Sequence, residues 1–577
     1  MVQLGFSSIQ GSKSEMFRNQ DKQTKMYFRS FDIVPRKLKK IDNSWAGVFN
    51  SEILPVLMRI EDQFDDFFDS SMGRPNFPVA ALNGILLLKH EFDLTDEETV
   101  DQFNFNILWH KALGVSSYDC NICRKTIYNY QKKLNESHKH QDLFNAITDE
   151  IISMAKLKIS RQRLDSVHIK SNMAELGRVR LFCRTIEMFL KDLQKDNPKQ
   201  FDLIDSDLVS RYLDREGYFC DPKPTETKHR LTEAAADLDF LVTGFESVED
   251  VTKMESYQLM KRLLSEQVEV SETHELELIK KPSSDSLQNP SDPDAGYSGH
   301  KGKGYQAQVS ETFDEENPFE VITSVQVESA CESDSSALEP MMKELEATGR
   351  KPEELQADTS YGGQENYEKA RDRGIELIAP VPGGRQTEGI TLDDFEFESD
   401  RPFLKRCPDG KEPQSQRYRK SRNTGKADFD IVSQCGGCPH YDECPGKLLK
   451  NGIRRVQWKK KTYELAKRRQ YQKTSEFKER YKKRSGIEAT FSQLGNTHGG
   501  KRLRVRGFPA VRGVTILKMI AINVHRYVKF QRNQLRGDES PRKTGIFSSL
   551  YSLFQNISHF LNSKLDRIEV WVSSPCK

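Results

Sequence analysis

Apolar positions recur at helical spacing from about Ser44 to Glu150, which predicts a helical N-terminal domain over residues 44–150. Its densest apolar run lies between Val79 and Phe92, after Pro75 and Pro78. Thr95 and Glu98 have capping-box spacing, so a second helix is expected to start there and to carry Val100, Phe103 and Ile107. Lys125 to Leu134 reads as a third helix with its basic residues exposed. Such a domain suits either DNA binding or dimerisation. Residues 1–43 read as a poorly ordered leader. MVQLGFSSIQGSKSEMF has no basic start followed by an apolar block, so no signal peptide is expected.

The period changes to two at Leu164, placing Asp165, Val167 and Ile169 on one side of a strand. A long helical stretch follows, from about Ala174 to Val270. Ser271 to Gly299 is polar and broken by Pro282, Pro290 and Pro293, and reads as a linker or loop. Tyr305–Val309 and Val321–Val327 alternate as strands. A helix is expected over Ser336–Thr348, a short strand over Leu355–Asp358, a helix over Gln364–Arg373 and a strand over Ile375–Ala379. Two hairpin-linked strands feeding a βαβ unit predict an α/β fold, a mixed sheet with helices packed on it. The expected core spans residues 160–390 with a helical insertion over about 174–299. A Cys-bearing insertion (391–446), a basic helical part (447–530) and a tail (531–577) follow. VTILKMIAINVHRYVKF reads as an amphipathic helix, and no run approaches the roughly 20 apolar residues that span a bilayer.

Charge sharpens this picture. The formal total is only +2, yet Lys447 to Lys529 holds 24 Lys/Arg against the four acids Glu464, Glu476, Glu479 and Glu488. That block is +20 and the rest of the chain −18. Solvated faces normally mix both signs, so the segregation points to a binder of phosphate backbones. Arg502, Arg504 and Arg506 alternate, and in extended form would line one side to clamp phosphates. Lys459 to Lys461, Arg468 and Arg469 suit sequence-independent attraction. Ten cysteines in 577 residues are too sparse for a disulfide scaffold and suggest a reducing, cytoplasmic setting.

Three acids are candidates for chemistry. Asp165 lies in the first strand, and Asp358 ends the fourth, just before a turn at Tyr361-Gly362-Gly363. Carboxylates on adjacent strands can share a hard divalent ion. Glu488 stands within the basic block, where Ile487, Phe491 and Leu494 form an apolar stripe and Tyr481, Arg484 and Glu488 share a face. It is either the partner of Arg484 or a metal ligand among phosphate-binding groups. His168 and His498 flank the acids and read as structural or DNA-contacting. Cys407, Cys435, Cys438 and Cys444 can hold Zn²⁺ tetrahedrally, with unligated thiols or a disulfide as the alternatives. Cys120 and Cys123 lack a second pair and read as packing or turn residues.

The order Asp…Asp…Glu in this element order resembles the ribonuclease-H-like core of DDE transposases. YKKRSGIEATF resembles the Tyr-x2-Arg-x3-Glu signature of a large group of bacterial insertion-sequence transposases. The lysine that usually follows seven positions after the Glu is replaced by Gly495, with Lys501 the nearest candidate. GRPNFPVAALNGILLLKHEF resembles their helical N-terminal domain, DSVHIKSNMA their first catalytic strand, and HGGKRLRVRGFPAV their C-terminal block. GHKGKGYQAQV and ADTSYGGQENYEKARDRGIELIAP resemble the second strand and the second aspartate region. The resemblance implies cleavage at element ends and strand transfer, with Asp165, Asp358 and Glu488 holding two Mg²⁺ or Mn²⁺ ions. In it Asp165 bridges both ions, with Asp358 on one and Glu488 on the other. Tyr481, Arg484, Lys501, Arg502, Arg504 and Arg506 would contact DNA. It also implies double-stranded DNA partners (terminal inverted repeats and target DNA), a homodimer in synapsis, and a cytoplasmic, nucleoid-associated bacterial protein. The alternatives are a catalytically silent, transposase-derived DNA-binding regulator and a stand-alone nuclease on the same fold.

Overall fold

The computed structural model describes residues 34–68, 76–116, 121–214, 227–270, 276–383, 389–398 and 401–535. The expected helices of the N-terminal region are present. Helix α1 (Val79–Glu91) is buried from Val79 to His90, as its unbroken apolar run requires. Thr95 and Glu98 form both hydrogen bonds of the capping box at the start of α2 (Asp96–Phe105). That helix does not run through Ile107. Asn106 accepts from the Leu108 amide at 2.9 Å and caps a new helix, α3 (Ile107–Leu113). Helix α4 (Arg124–Ser137) buries Ile127, Tyr130 and Leu134 and exposes Lys125, Lys132 and Lys133. Helix α5 (His140–Ala155) completes the group. Part of the expected leader is ordered: Pro35–Asp42 is a helix with Ile41 buried. Residues 1–33 lie outside the described residues, as do Cys120 and the tail from residue 536.

The central sheet contains β1 (Arg161–Ile169), β2 (Gly302–Thr312), β3 (Ile322–Ser329), β4 (Glu354–Gln356) and β5 (Glu376–Ile378) in the order 3-2-1-4-5. β2 pairs antiparallel with both β1 and β3, while β4 and β5 continue parallel to β1. Leu164 and Leu355 of this sheet pack with Leu338, Met341 and Leu345 of the helix Asp334–Ala347 and with Ala370 of the helix Gln364–Asp372.

The stretch between β1 and β2 is not one helix. It breaks into several, chiefly α6 (Arg178–Asp196), α7 (Thr227–Phe245) and α8 (Glu255–Gln267), around a core that includes Phe182, Phe189, Leu238 and Met260. It ends in a hairpin of Val268–Val270 with Leu276–Leu278. The Pro-broken segment that follows is packed rather than free, with Leu287, Asn289 and Asp292 buried. Asp292 accepts from Ser171 Oγ, Tyr305 OH and the Gly507 amide. Its carboxylate therefore ties the exit of β1 to β2 and to the C-terminal segment.

After β3 come α9 (Asp334–Ala347) and α10 (Gln364–Asp372). The Cys-bearing segment then forms a four-stranded sheet of β6 (Ser415–Arg419), β7 (Thr424–Asp430), β8 (Lys447–Leu448) and β9 (Ile453–Lys459), in the order 6-7-9-8. The helices of the expected basic part thus begin at Lys460, and its first residues, from 447, form β8 and β9. Arg454, Val456 and Trp458 alternate inward along β9, a two-residue period within a basic stretch. Helices α11 (Lys460–Lys473), α12 (Ser475–Lys482), α13 (Ile487–Asn496) and α14 (Phe508–Leu535) follow.

The chain to Val528 makes one unit, and residues from Lys529 a second. Within the first, α14 is more buried than its polar residues suggest: every residue from Gly513 to Val524 is buried. Two of its buried polar side chains find partners, whereas Thr515 Oγ1 finds none among the described residues. Asn523 bonds the backbone of Ile322 in both directions, and Lys518 pairs with Asp93 at 2.8 Å. No described helix is long and apolar enough to cross a membrane.

Candidate active site

The strand register sets two of the three acids side by side. β1 and β4 pair in parallel as Arg161↔Glu354, Gln162↔Leu355 and Arg163↔Gln356, and the same offset carries Asp165 level with Asp358. Adjacent strands lie about 4.8 Å apart. Asp165 is 8% exposed. Its Oδ1 accepts from the Ser166 amide at 2.8 Å and its Oδ2 from Arg484 Nη1 at 2.7 Å. Asp358 leaves the sheet just after β4 and caps the turn Thr359–Tyr361, accepting from the Ser360 amide at 2.7 Å. Gly362 closes this turn because a Cβ there would lie 1.8 Å from the Pro380 carbonyl oxygen.

Glu488 comes from the first turn of α13, and it is exposed. The expected stripe holds, with Ile487, Phe491 and Leu494 buried beneath it. The expected single helical face does not. A 3-10 turn, Lys483–Gly486, separates α12 from α13, so Tyr481, Arg484 and Glu488 belong to three different elements. The tertiary structure gathers them instead. Arg484 partners Asp165 rather than Glu488, and Glu488 makes no hydrogen bond or ion pair among the described residues. Burial pushes the Asp165 carboxyl above the ordinary range, the Arg484 guanidinium opposes this, and the carboxylates of Asp358 and Glu488 add to the rise. Burial likewise raises the Tyr481 hydroxyl, whose ring stacks on Phe477. A buried carboxylate balanced by one guanidinium, with two further carboxylates acting on it, is a donor set that fits a hard divalent cation.

A network that the sequence did not reveal holds α13 against the sheet. Glu311 on β2 is fully buried. Its Oε1 accepts from Arg163 Nε at 2.8 Å and Nη2 at 2.7 Å. Its Oε2 accepts from Thr490 Oγ1 of α13 and from Arg526 Nη1 of α14 at 3.2 Å. Arg163 also donates to the Lys483 carbonyl at 2.9 Å, just ahead of Glu488. Arg480 performs the matching task for α12, pairing with Glu354 at 2.9 Å and Glu376 at 2.6 Å. The only sequence signal was an acid at an inward position of β2.

Lys501 lies against Gly495. A Cβ on Gly495 would lie 3.0 Å from Lys501 Cδ, so the Lys501 side chain crosses the place a longer residue would fill. The segment after it runs beside the exit of β1: Lys170 N donates to Lys501 O at 2.9 Å, Leu503 N to Lys170 O at 2.8 Å, and Asn172 N to Val505 O at 2.8 Å. Leu503 is buried while Arg502, Arg504 and Arg506 are exposed, which is the expected alternation. Arg504 pairs with Asp93 at 3.0 Å. A groove of about 1440 Å³ joins this segment to Lys89, Arg124, Lys125 and Lys132 of the N-terminal helices, and does not include the three carboxylates.

Other basic residues are engaged internally. Arg469 pairs with Asp393 at 2.9 Å, and Arg468 donates to the Gly362 carbonyl at 2.8 Å. His498 is fully buried, which leaves the structural half of its expected role. His168 is half-buried beside Gly304. Cys407, Cys435, Cys438 and Cys444 are free thiols lining one small cavity, with His440 and Arg454. Burial raises the Cys435 thiol, and the other three thiols act in the same direction. Four convergent thiols suit zinc chemically.

Comparison with known families matches two segments of the chain, one of which contains Glu488. A family model described as "Transposase DDE domain" matches residues 406–528, and one described as "Transposase domain (DUF772)" matches residues 46–133. No curated protein and no solved structure matches the chain.

Proposed function

Since the chain belongs with DDE transposases of the insertion-sequence type, we propose that it cuts DNA at the ends of a mobile element and joins them to target DNA. The observation that supports this reading is that Asp358, just after β4, and Glu488, on α13, both act on the buried Asp165 carboxyl of β1. The strand order 3-2-1-4-5 supports a ribonuclease-H-like core. Asp165 and Asp358 would hold one Mg²⁺ or Mn²⁺ ion and Asp165 and Glu488 a second, supplying charge neutralisation and an activated water or 3′-hydroxyl.

The protein's own groups do the rest. Arg484 keeps the buried Asp165 carboxylate paired and would offer its guanidinium to a DNA phosphate. Tyr481, beside it, walls the site. Lys501, Arg502 and Arg506 stand exposed along the exit of β1, and the basic groove beyond them suits a duplex backbone. Hydrolysis and strand transfer differ only in the nucleophile, so one site serves both. A second copy of the chain would hold the other end in synapsis.

The test is linear DNA carrying the flanks of the protein's own gene, with Mg²⁺ added or withheld and Glu488→Gln in parallel. Cutting at the element boundary that needs both Mg²⁺ and Glu488 is expected. Binding without cutting by the intact protein, with Mn²⁺ also tried, overturns the reading in favour of a silent DNA-binding regulator.

Lys501→Gln provides a separate check. Loss of one phosphate contact should lower the dependence of log affinity on log salt by about 1. A slope equal to that of the intact protein, measured by fluorescence anisotropy across salt, removes Lys501 from the backbone contacts.

A further inference from the structure

Glu91, His498 and His525 each offer one ligating atom, and these atoms lie within 4.8 Å of one another. We propose that they form a site for a divalent transition ion of the zinc class, separate from the three carboxylates. This inference does not depend on the transposase reading. His525 Nδ1 lies 2.5 Å from one carboxylate oxygen of Glu91, and His498 Nδ1 lies 4.0 Å from the other. His498 is fully buried, and its Nε2 has no hydrogen-bond partner. The second oxygen of Glu91 is likewise buried without a hydrogen bond. Leaving two such atoms unsatisfied costs free energy that a shared cation would recover.

The surroundings fit. His498 Nδ1 lies 3.3 Å from the His90 carbonyl, the kind of outer contact that orients a ligating imidazole. The nearest ammonium, Lys518, is already neutralised by Asp93. Two imidazoles and one carboxylate match Zn²⁺ with a water in the fourth position, and are too nitrogen-rich for Mg²⁺.

The placement gives the site a task. Glu91 ends α1, His498 follows α13 and His525 lies on α14. An ion there would pin three elements at one point. Glu488 sits at the opposite end of α13, whose ten residues span about 15 Å. The site would therefore anchor the far end of the helix that carries Glu488 without touching the carboxylates.

The experiment is zinc uptake by the full chain after chelator treatment, comparing the unaltered protein with His525→Asn and Glu91→Gln. Metal would be counted by elemental analysis, and stability followed by thermal unfolding. Co²⁺ substitution separates this site from the cysteines, because only thiolate ligands give intense near-ultraviolet charge-transfer bands. The expectation is that each variant loses one equivalent, with affinity for it lowered at least about 100-fold. The zinc-dependent rise in melting temperature is lost with it, while any thiolate bands persist. His525 is partly exposed, so His525→Asn should keep the fold, checked by circular dichroism. Equal zinc uptake and equal stabilisation in the unaltered protein and the folded His525→Asn variant would overturn the proposal. So would a chain that takes up no zinc beyond its cysteines.

Discussion

Asp165→Asn should abolish DNA cleavage while leaving DNA binding intact. Asparagine has the same shape and can still accept from the Ser166 amide, so β1 and its neighbours should fold unchanged. It cannot carry the negative charge that two ions would share. Metal ions supply several kcal/mol of transition-state stabilisation, and each 1.36 kcal/mol is tenfold in rate, so the expected loss is on the order of 10³-fold or more. Binding should survive because the exposed basic residues Lys501, Arg502 and Arg506 lie outside the three carboxylates. Cleavage of an end-bearing fragment and a gel-shift titration with the same DNA test both halves. Retained cleavage would remove Asp165 from the chemistry. Lost binding in a folded variant would mean that it holds DNA instead.

Glu311→Gln should have the largest effect on stability. Glu311 is fully buried and faces two guanidiniums, from Arg163 and Arg526, whose side chains are 9% and 15% exposed. Glutamine removes the negative charge in direct contact with both cations and leaves only longer-range attraction, such as that of Glu320, to balance them. Breaking a buried pair in this way typically costs about 3–5 kcal/mol. The network joins β1, β2, α13 and α14, so the damage should centre on the helix that carries Glu488. Hydrogen exchange should show lost protection in α13 and β1, and cleavage should fall more than DNA binding. A loss below about 1 kcal/mol in denaturant titrations would show that the two arginines find other partners.

The strands of the central sheet and the helices between them were legible because their periods are clean. Alternation at Val321, Thr323, Val325 and Val327, and the apolar run of α1, each admit one reading. Errors arose where one pattern hid another. The charge density of the Lys447–Lys529 block masked the two-residue period of β9. Asn106 capped a new helix inside what looked like a continuing one. In α14, scattered Lys, Asn and Arg suggested a wet face, yet Lys518 and Asn523 are buried and have partners in distant segments.

The candidate site divides in the same way. Asp165, Asp358, Glu488 and the alternating arginines were candidates from residue type and local context, and only the family resemblance joined the three acids into one set. Their contacts were not legible there. Local spacing offered Arg484 to Glu488, whereas the fold gives it to Asp165, 319 residues away in sequence. Lys501 was already the nearest candidate by sequence; that it lies across Gly495 depends on how the loop after α13 returns along β1. Beyond an acid at an inward position of β2, the Glu311–Arg163–Arg526 network had no local signature, and the Glu91–His498–His525 group had none.

The sequence by itself determined the elements, their order, the segregation of charge and the identity of the acids, because backbone periodicity and side-chain chemistry act over a few residues. Only the tertiary structure decided which charges are neutralised. The energy of a buried ion depends on the groups within a few ångströms, and those come from segments hundreds of residues apart.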